Sequence, residues 1–336
     1  MKEASFYEKK KNLTVQCHLC NHNCTIQDGG RGICRVRENK EGTLYSLNYG
    51  KAISANVDPI EKKPFFHFMP GSRAFSFATV GCNFKCLFCQ NWDISQSPKD
   101  KSEPIIGENL SPQDLVKLAI DQECESIAYT YTEPTIFYEY GIETMELALK
   151  KKLKNVWVTN GYTSKEVLKS LKGKMHAANV DLKAFTEKFY NEICGAKLKP
   201  VLENLVLYKK LGIWLEVTTL LIPGENDSAS ELKEMAKFIK EELGAETPWH
   251  VTAFYPAYKM LDKEPTPSDT LLKAREIGLG EGLKYVYTGN IPGLKGESTY
   301  CPKCETEIVD RVGFSVKRMD KKGKCKKCGE KIDGVW

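Results

Sequence analysis

Cysteine is the residue type in this sequence with the clearest capacity for chemistry. The chain of 336 residues contains 13 cysteines, and all except Cys124 and Cys194 fall into three groups, within residues 17–34, 82–89 and 301–328. Grouped cysteines indicate metal binding when a chain stays in a reducing compartment, where disulfides are rare. The two isolated cysteines are expected to be buried free thiols.

The middle group has the spacing Cys82-x-x-x-Cys86-x-x-Cys89. Three thiolates can bind three irons of a cubane [4Fe–4S] cluster and leave the fourth iron open. S-adenosylmethionine (SAM) can chelate that iron, and reduction then cleaves it to a 5′-deoxyadenosyl radical that abstracts hydrogen. A zinc knuckle or free thiols are the alternative, but no fourth ligand stands nearby. These three cysteines are therefore the candidate catalytic and cluster-binding residues.

The last group consists of two Cys-x-x-Cys pairs, and its members are Cys301, Cys304, Cys325 and Cys328. Two such knuckles fold around one tetrahedral ion, normally zinc, with a rubredoxin-like iron as the alternative. The piece of chain around them is too small to fold without the metal. We expect a zinc ribbon whose strands lie between residues 308 and 316.

The first group also supplies a full set of four ligands, which are Cys17, Cys20, Cys24 and Cys34. Zinc is our first interpretation of this set, and an auxiliary cubane cluster is the second. His18 and His22 are competing ligands. Glycines at positions 29, 30 and 32 supply the turns that bring Cys34 back toward the other three.

Strand-like and helix-like segments alternate in the part of the chain that must position these cysteines. Strands are predicted at 74–80, 126–130, 156–159, 178–182, 214–221, 249–255 and 285–287, and helices at 111–122, 135–150, 164–171, 200–211, 230–243 and 270–278. Repeated strand–helix units with short connections imply a parallel sheet. We therefore expect an α/β fold, a partial (β/α) TIM-like barrel with its active site at the carboxyl ends of the strands. A doubly wound sheet would bind its ligand at the same edge.

Three domains are predicted along the chain. Residues 1–60 form a small Cys-rich cap with its own metal site, residues 61–292 the barrel, and residues 293–336 the zinc-ribbon or rubredoxin-like module. The chemically capable residues of the barrel stand just after predicted strands, where the carboxyl edge of a parallel sheet gathers them.

The formal net charge of +5 lies mostly in the last module, since residues 301–336 hold ten Lys or Arg against six Asp or Glu. The lysines are densest at residues 321–327 and indicate either a solvated surface or a patch for phosphate or an acidic partner. No stretch approaches the roughly 18 apolar residues of a membrane span. The N-terminus lacks the apolar core of a signal peptide, so we expect a cytoplasmic protein without membrane contact.

The cysteine spacing of the middle group, with Phe88 before its third member, resembles the signature of the radical SAM superfamily. More of the chain resembles glycyl-radical-enzyme activases of the pyruvate formate-lyase type, and especially the radical SAM enzymes of the AmmeMemoRadiSam system. The similar blocks are 17–37, 81–91, 129–135, 159–162, 181–185, 221–227, 249–252 and 334–336. The resemblance implies a radical SAM barrel, a [4Fe–4S] cluster and SAM as cofactors beside zinc.

The resemblance also implies which residues bind SAM. Tyr131-Thr132-Glu133 stands where such enzymes carry a Gly-Gly-Glu element for the methionyl amino group, so Thr132 and Glu133 are candidate contacts, with Glu133 as a side-chain ligand. Asp181 and Lys183 match an Asp-x-Lys element that meets the amino and carboxylate groups of SAM. Their side chains can point to one side of the pleat, and a lysine suits a carboxylate. A surface ion pair is the alternative.

Three further candidates for cofactor binding follow from the same resemblance. Asn160 matches a Thr-Asn-Gly element near the ribose, with a turn residue as the alternative. Asn226, with Asp227, matches a Pro-Gly-x-Asn-Asp loop close to the site, and turn chemistry again is the alternative. His250 faces the barrel interior near the adenine or is a hydrogen-bonded core histidine.

The sequence as a whole predicts a radical SAM enzyme of the oxidoreductase type. Its substrate is a protein backbone glycine, as for an activase, or a nucleotide or RNA base, which suits the basic ribbon. A protein partner and an external electron donor of the flavodoxin or ferredoxin type are implied. The competing hypothesis is a zinc-ribbon nucleic-acid binder without catalysis, which would have no use for the cysteine triad, Asp181 and Lys183.

Overall fold

An eight-stranded sheet forms the centre of the chain in the computed structural model, which describes all 336 residues. In spatial order the strands are Ser54–Pro59, Arg73–Ala78, Ser126–Tyr129, Lys154–Thr159, Ala177–Asp181, Trp214–Leu221, Trp249–Ala253 and Val286–Gly289. The first pair is antiparallel and every later pair is parallel. The seven strands predicted from the sequence are therefore confirmed, and they are the seven parallel ones.

The sheet is open, because its two edge strands, Ser54–Pro59 and Val286–Gly289, each pair with one neighbouring strand and do not pair with each other. The predicted α/β class with a parallel sheet is confirmed. Strand Ser54–Pro59 lies within the segment assigned to the cap, so the large sheet begins before residue 61. This edge strand escaped prediction as part of the sheet because its partner Arg73–Ala78 follows an irregular stretch.

Helices follow most of the parallel strands, as predicted. They are Pro112–Asp121, Tyr138–Lys150, Lys165–Ser170, Leu198–Lys210, Ala229–Phe238 and Ser268–Gly280, with shorter helical pieces at Trp92–Ser95 and Glu187–Phe189, 3₁₀ turns at Ile60–Lys62 and Pro134–Phe137, and π turns at Tyr190–Cys194 and Ile239–Leu243. None of these helices has both the length and the apolar composition that crossing a membrane requires.

The first of the long helices shows how the sequence sets these elements. Asp114 donates its backbone N–H to Ser111 Oγ at 3.1 Å, and its carboxylate accepts the Ser111 N–H at 2.8 Å. This reciprocal cap satisfies two N–H groups that the helix itself leaves unpaired. Pro112 follows at the start, where its missing N–H costs nothing. Leu115 and Ala119 then point inward and are fully buried.

Two small antiparallel sheets make up most of the N-terminal region. One contains Lys2–Glu3, Arg37–Lys40 and Thr43–Ser46, the other Tyr7–Lys9, Val15–Cys17 and Thr25–Ile26, and the strand Lys51–Ala52 pairs with Glu108–Asn109. Arg37 fastens the region to helix Tyr138–Lys150, since both of its Nη atoms donate to Glu139 at 2.9 Å. Burial opposes the charge of Glu139, but Arg37 lowers the pKa of its carboxyl.

The C-terminal module forms a three-stranded antiparallel sheet from Thr299–Tyr300, Glu307–Val312 and Ser315–Arg318, which confirms the predicted ribbon strands. The module covers the amino edge of the large sheet. Arg311 Nη2 donates to the carbonyl of Phe66 at 2.8 Å, and the N–H of Val335 donates to the carbonyl of His67 at 2.8 Å. The middle group of cysteines lies at the opposite, carboxyl edge of the sheet.

Candidate functional site

The middle cysteines lie in the loop after strand Arg73–Ala78, at the carboxyl edge of the parallel strands. Burial raises the pKa of the Cys82 thiol, and the nearby Glu133 carboxylate, followed by Cys86 and Cys89, raises it further. Ser95 Oγ lies 3.2 Å from Cys89 Sγ. The three thiols thus lie in one loop at this edge, and a donor set of three thiols suits a cluster that keeps one iron open.

Cys194 is a fourth thiol at this place. It ends the π turn Tyr190–Cys194 and is fully buried, and its carbonyl accepts the backbone N–H of Lys85 at 2.9 Å. A hydrogen bond from Cys194 lowers the pKa of the Cys86 thiol. The prediction of a buried thiol is confirmed, but its contact with Cys86 has no signal in the sequence, because two distant loops create it.

Asp181 and Lys183 form an ion pair beside the cysteine loop. Lys183 Nζ lies 2.8 Å from Asp181 Oδ2 and 5.6 Å from the centre of the Phe88 ring. Only 13% of the Lys183 side chain and 33% of the Asp181 side chain are exposed, so the pair is partly buried. Burial opposes its charge, but Asp181 and the Cys86 sulfur outweigh burial and raise the pKa of the Lys183 ammonium well above its usual range.

Tyr131 keeps the backbone conformation that a glycine would favour. Its φ is +64°, in the left-handed region, where a side chain costs free energy. Its carbonyl accepts a hydrogen bond from Asn91 Nδ2 at 2.8 Å, and the Thr132 hydroxyl donates to the carbonyl of Thr79 at 2.9 Å. The turn at residues 131–133 is therefore held by contacts to Asn91 and Thr79, with Tyr131 in a backbone conformation that favours glycine.

Glu133 is buried, and its carboxylate is occupied by contacts within the chain. It accepts hydrogen bonds from the N–H and hydroxyl of Thr135 at 3.0 and 2.5 Å, from Thr159 Oγ1 at 2.8 Å and from the N–H of Asn160 at 2.8 Å. Burial raises the pKa of Glu133 in spite of these bonds. This environment favours a role in holding Asn160 over the predicted direct contact with SAM.

Asn160 lies at the carboxyl edge and connects two loops. Its Nδ2 donates to Asn83 Oδ1 at 2.7 Å, and its Oδ1 accepts the N–H of Tyr162 at 3.0 Å. The second bond is the turn chemistry weighed above. The first bond ties Asn160 to the residue directly after Cys82, a contact that sequence spacing could not reveal.

Asn226 is buried and uses its whole amide within the chain. Its Oδ1 accepts the N–H of Ile222 at 2.7 Å, and its Nδ2 donates to the carbonyls of Lys183 and Leu220 at 2.7 and 2.9 Å. The turn interpretation accounts for the bonds to Ile222 and Leu220, whereas the bond to Lys183 joins two separate loops. Asn226 supports the site by fixing the backbone of Lys183.

His250 belongs to a buried network at the amino half of the sheet. Its Nε2 lies 2.7 Å from Glu216 Oε2, and Glu216 also accepts the N–H groups of Phe66 and His67 at 3.0 and 2.9 Å. Burial opposes the Glu216 charge, but the hydrogen bond from His250 lowers the pKa of that carboxyl. His250 is thus a hydrogen-bonded core histidine, and the alternative of an adenine contact is not supported.

The C-terminal cysteines are drawn together as a metal site. The Sγ atoms of Cys301 and Cys328 lie 3.6 Å apart, as do those of Cys304 and Cys325. All four sulfurs lie within 4.8 Å of one another. This arrangement suits four ligands around one ion.

The N-terminal cysteines surround one cavity beside the cysteine loop, and they are Cys17, Cys20, Cys24 and Cys34. Of the predicted competitors, His18 pairs with Glu8, whereas His22 lines the cavity and its Nε2 lies 2.8 Å from the carbonyl of Asn83. Burial raises the pKa of the Cys34 thiol to about 12.

Comparison with known proteins places the cysteine loop in a known family. The Radical SAM superfamily profile matches residues 77–239. An uncharacterized protein of Methanocaldococcus jannaschii is 48% identical over 338 residues, which cover 100% of each chain. Another protein of that organism, whose name assigns it provisionally to the glycyl-radical enzyme activating enzymes, is 27% identical over 212 residues, 62% of this chain and 78% of its own.

Among solved structures, Streptococcus suis SuiB bound to S-adenosylmethionine superposes with a TM-score of 0.52 at 14% identity, covering 67% of this chain and 52% of SuiB. At that identity the likeness concerns the fold alone. The profile match contains the cysteine loop, the Asp181–Lys183 pair and Asn226. This match shows that the chain contains a radical SAM domain, which holds the cysteine loop.

Proposed function

We propose that this protein is a radical SAM enzyme that abstracts hydrogen from a protein substrate. The observation that carries the proposal is the ion pair Asp181–Lys183 beside the cysteine loop, where the Lys183 charge acts on both Cys86 and Cys89. When bound, the cluster and SAM supply reductive cleavage to a 5′-deoxyadenosyl radical, the hydrogen-abstracting species.

The side chains at the triad have distinct tasks in this proposal. Cys82, Cys86 and Cys89 hold three irons. Lys183 offers an ammonium to the carboxylate of SAM, and Asp181 accepts a hydrogen bond from its amino group, each a charge-assisted contact. Both groups are already ordered by their mutual ion pair, so little freedom remains to be lost on binding.

Phe88 shields this place from water. Its ring is buried, and its centre lies 6.0 Å from that of Phe189 as well as 5.6 Å from Lys183 Nζ. A cation beside an aromatic face is stabilised without water. Phe88 thereby limits the directions in which Lys183 can point.

A macromolecular substrate is supported by an exposed aromatic surface near the cysteine loop. Trp92, just after the third cysteine, is 44% exposed and stacks on Tyr258 with ring centres 5.4 Å apart. Tyr255 is 45% exposed and Leu261 is 70% exposed. Exposed large apolar groups are enriched at protein-binding surfaces. A protein backbone, as in glycyl-radical activation, is the substrate we favour.

An RNA or nucleotide base is the second candidate, favoured by one observation. Lys321, Lys322, Lys326 and Lys327 of the C-terminal module are all exposed. That module covers the amino edge of the sheet, however, whereas the triad lies at the carboxyl edge. A base held by these lysines would stand away from the triad, which is why we rank RNA second. The competing idea of a non-catalytic binder leaves the triad without a use.

Zinc is the ion we propose for the C-terminal cysteines, because sulfurs 3.6 Å apart suit Zn–S bonds of about 2.3 Å in a tetrahedron. An external one-electron donor of the flavodoxin or ferredoxin type completes the proposed reaction.

The test is SAM cleavage by the anaerobically reconstituted protein. Under reduction, the protein should form 5′-deoxyadenosine, and Cys86→Ala should reduce that product to the level without enzyme. Cys124→Ala is the matched control, since Cys124 is buried far from the triad and should retain the product. Equal product from Cys86→Ala and the control would refute the cluster assignment.

The substrate is tested by deuterium transfer. A candidate protein with deuterated glycine and a deuterated RNA are incubated separately with enzyme, SAM and reductant. Deuterium in 5′-deoxyadenosine from the protein alone supports the proposal, and transfer from the RNA alone would replace it with the second candidate.

A further inference from the structure

The four N-terminal cysteines share a cavity but are spaced more widely than the C-terminal four. In the C-terminal set, two sulfur pairs lie 3.6 Å apart and all four sulfurs fall within 4.8 Å of one another. Among the cysteines, histidines and carboxylates of this chain, no other set is drawn together so tightly. The N-terminal set therefore differs from the C-terminal one in geometry, although both contain four cysteines.

The spacing bears directly on what the site can hold. Four thiolates around one zinc ion, with Zn–S bonds of about 2.3 Å, lie ~3.8 Å apart. The C-terminal cysteines meet this requirement. A cubane cluster places each thiolate on a different iron and so keeps the sulfurs farther apart.

The middle triad provides an internal reference for the wider spacing. The sulfurs of Cys82, Cys86 and Cys89 likewise do not all lie within 4.8 Å of one another, although the three residues belong to one loop at the carboxyl edge. Two cysteine sets of this chain thus share the wider spacing, and a third has the spacing of a single ion.

Two unpaired hydrogen-bond donors supply independent support. Arg37 and Asn83 both line the cavity, and each is 1% exposed. Arg37 Nε and Asn83 Nδ2 have no hydrogen-bond partner. A buried N–H group without an acceptor is unfavourable, and the sulfurs of an iron–sulfur cluster accept such bonds. The remaining wall is mainly apolar, which suits a cluster shielded from water.

We propose that Cys17, Cys20, Cys24 and Cys34 bind a second [4Fe–4S] cluster, with N–H donors from Arg37 and Asn83. This assignment replaces zinc, our first interpretation of the sequence. Each iron of this cluster has a cysteine ligand, so the cluster has no open position for SAM or substrate. Its chemistry is one-electron transfer.

The position of the cavity suggests where the electron goes. Asn83 lines the cavity and directly follows Cys82, and His22 of the cavity wall contacts the Asn83 carbonyl. The second cluster would take one electron from an external donor protein, passing from the oxidised to the reduced state. It would return to the oxidised state by giving that electron to the cluster at the triad. This role rests on the proposed function, whereas the metal content does not.

Metal and sulfide analysis of the full anaerobic protein tests the assignment. We expect about eight iron and eight acid-labile sulfide per chain with about one zinc. About four iron and two zinc would overturn the second cluster while leaving the proposed function intact, and a two-iron cluster in Mössbauer spectra would overturn it as well.

Two sets of variants separate this inference from the proposed function. Replacing Cys17, Cys20, Cys24 and Cys34 by Ala should halve the iron and leave the reduced-state electron paramagnetic resonance signal that SAM alters. Replacing Cys82, Cys86 and Cys89 by Ala should also halve the iron but abolish the response to SAM. If the fourfold variant fails to fold, the single variant Cys24→Ser is used for the same iron measurement. Iron unchanged in the N-terminal variants refutes the second cluster, and iron unchanged in the triad variant refutes the proposed function.

The electron path has its own readout in the N-terminal variants. They should form 5′-deoxyadenosine with dithionite, a small reductant, but lose most of it with reduced flavodoxin. Equal activity with flavodoxin in the variants and the unaltered protein would overturn the relay.

Discussion

The carbonyl oxygen of Cys34 lies 2.9 Å from the position that a Cβ atom on Gly81 would occupy. Gly81 directly precedes Cys82, so the backbones of two cysteine sets touch at this point. Val36 Cγ1 lies 2.8 Å from the same position, and the φ of Gly81 is +96°. Both the space and the conformation therefore require glycine here.

Gly81→Ala should lower the stability by more than about 3 kcal/mol and reduce iron binding, because a methyl group would force apart Cys34 and the cluster loop. Gly173→Ala is the control. Gly173 also has a positive φ, +75°, but nothing lies within 4 Å of its Cβ position. Gly173→Ala should lower the stability by only ~1 kcal/mol, the cost of placing a side chain in the left-handed backbone conformation. Thermal unfolding and iron analysis measure both, and equal effects would contradict the close contact.

Lys183→Ala should weaken SAM binding about tenfold or more, since it removes a charged hydrogen-bond donor for the carboxylate. Iron content should remain unchanged. Lys165→Ala, which removes an exposed lysine 2.8 Å from Glu203, is the matched control and should leave SAM affinity as it was. Equilibrium dialysis with labelled SAM measures the affinity. A parallel loss of iron and SAM in Lys183→Ala would indicate a structural role.

His67 should make stability depend on pH. Burial lowers its pKa to about 4 from 6.5, and its ring nitrogens contact the carbonyl of Asp333 and the hydroxyl of Tyr287 at 2.6 and 2.5 Å. Between these pKa values the unfolded chain binds a proton that the folded chain does not. Stability is therefore full above about pH 6.5 and falls by on the order of 3 kcal/mol toward pH 4.

His67→Phe should flatten this pH slope, whatever its effect on absolute stability. Melting temperatures of the metal-replete protein between about pH 5 and pH 7 measure the slope. His18→Gln, at an exposed histidine, should retain the slope of the unaltered protein. A slope that persists in His67→Phe would show that other groups cause it.

Cys301→Ser should remove the ion of the C-terminal module and loosen its contact with the amino edge of the sheet. We expect about one zinc fewer per chain, faster proteolysis beyond residue 293 and a lower melting temperature. Formation of 5′-deoxyadenosine should continue, because the triad lies at the other edge. Lys303→Ala, at an exposed residue between two cysteines, controls for surface changes. Unchanged zinc in Cys301→Ser would contradict the assigned ligand.

Local patterns predicted the elements of the fold well. The strand Trp214–Leu221 and the cap at Ser111 were identified because apolar spacing and capping residues act over a few positions. The same strand contains Glu216, whose burial no local pattern foretells. Glu216 is stabilised there by His250 together with the N–H groups that Phe66 and His67 bring from a segment far away in the chain.

In the candidate site, too, some features follow from local sequence patterns and others depend on contacts between distant segments. The triad follows from its short, regular spacing, whereas the pair Asp181 and Lys183 follows from the resemblance to glycyl-radical-enzyme activases. The contact of Cys194 with Cys86 and the occupied carboxylate of Glu133 depend on loops from different strands meeting at one edge. Spacing alone favours zinc only slightly over a cluster for the first cysteines, because the number of ligands does not fix the distance between their sulfurs.

The order of the strands in the sheet has a consequence for assembly during synthesis. Within the large sheet, each strand from Arg73–Ala78 onward pairs with the strand of that sheet that precedes it in the sequence, so none has to be inserted between two that are already joined. The sheet can therefore gain strands at one edge while the ribosome synthesises the chain. Arg311 and Val335 then reach back to residues 66 and 67. The C-terminal module can therefore cover the amino edge of the large sheet only after the rest of the polypeptide has been synthesised.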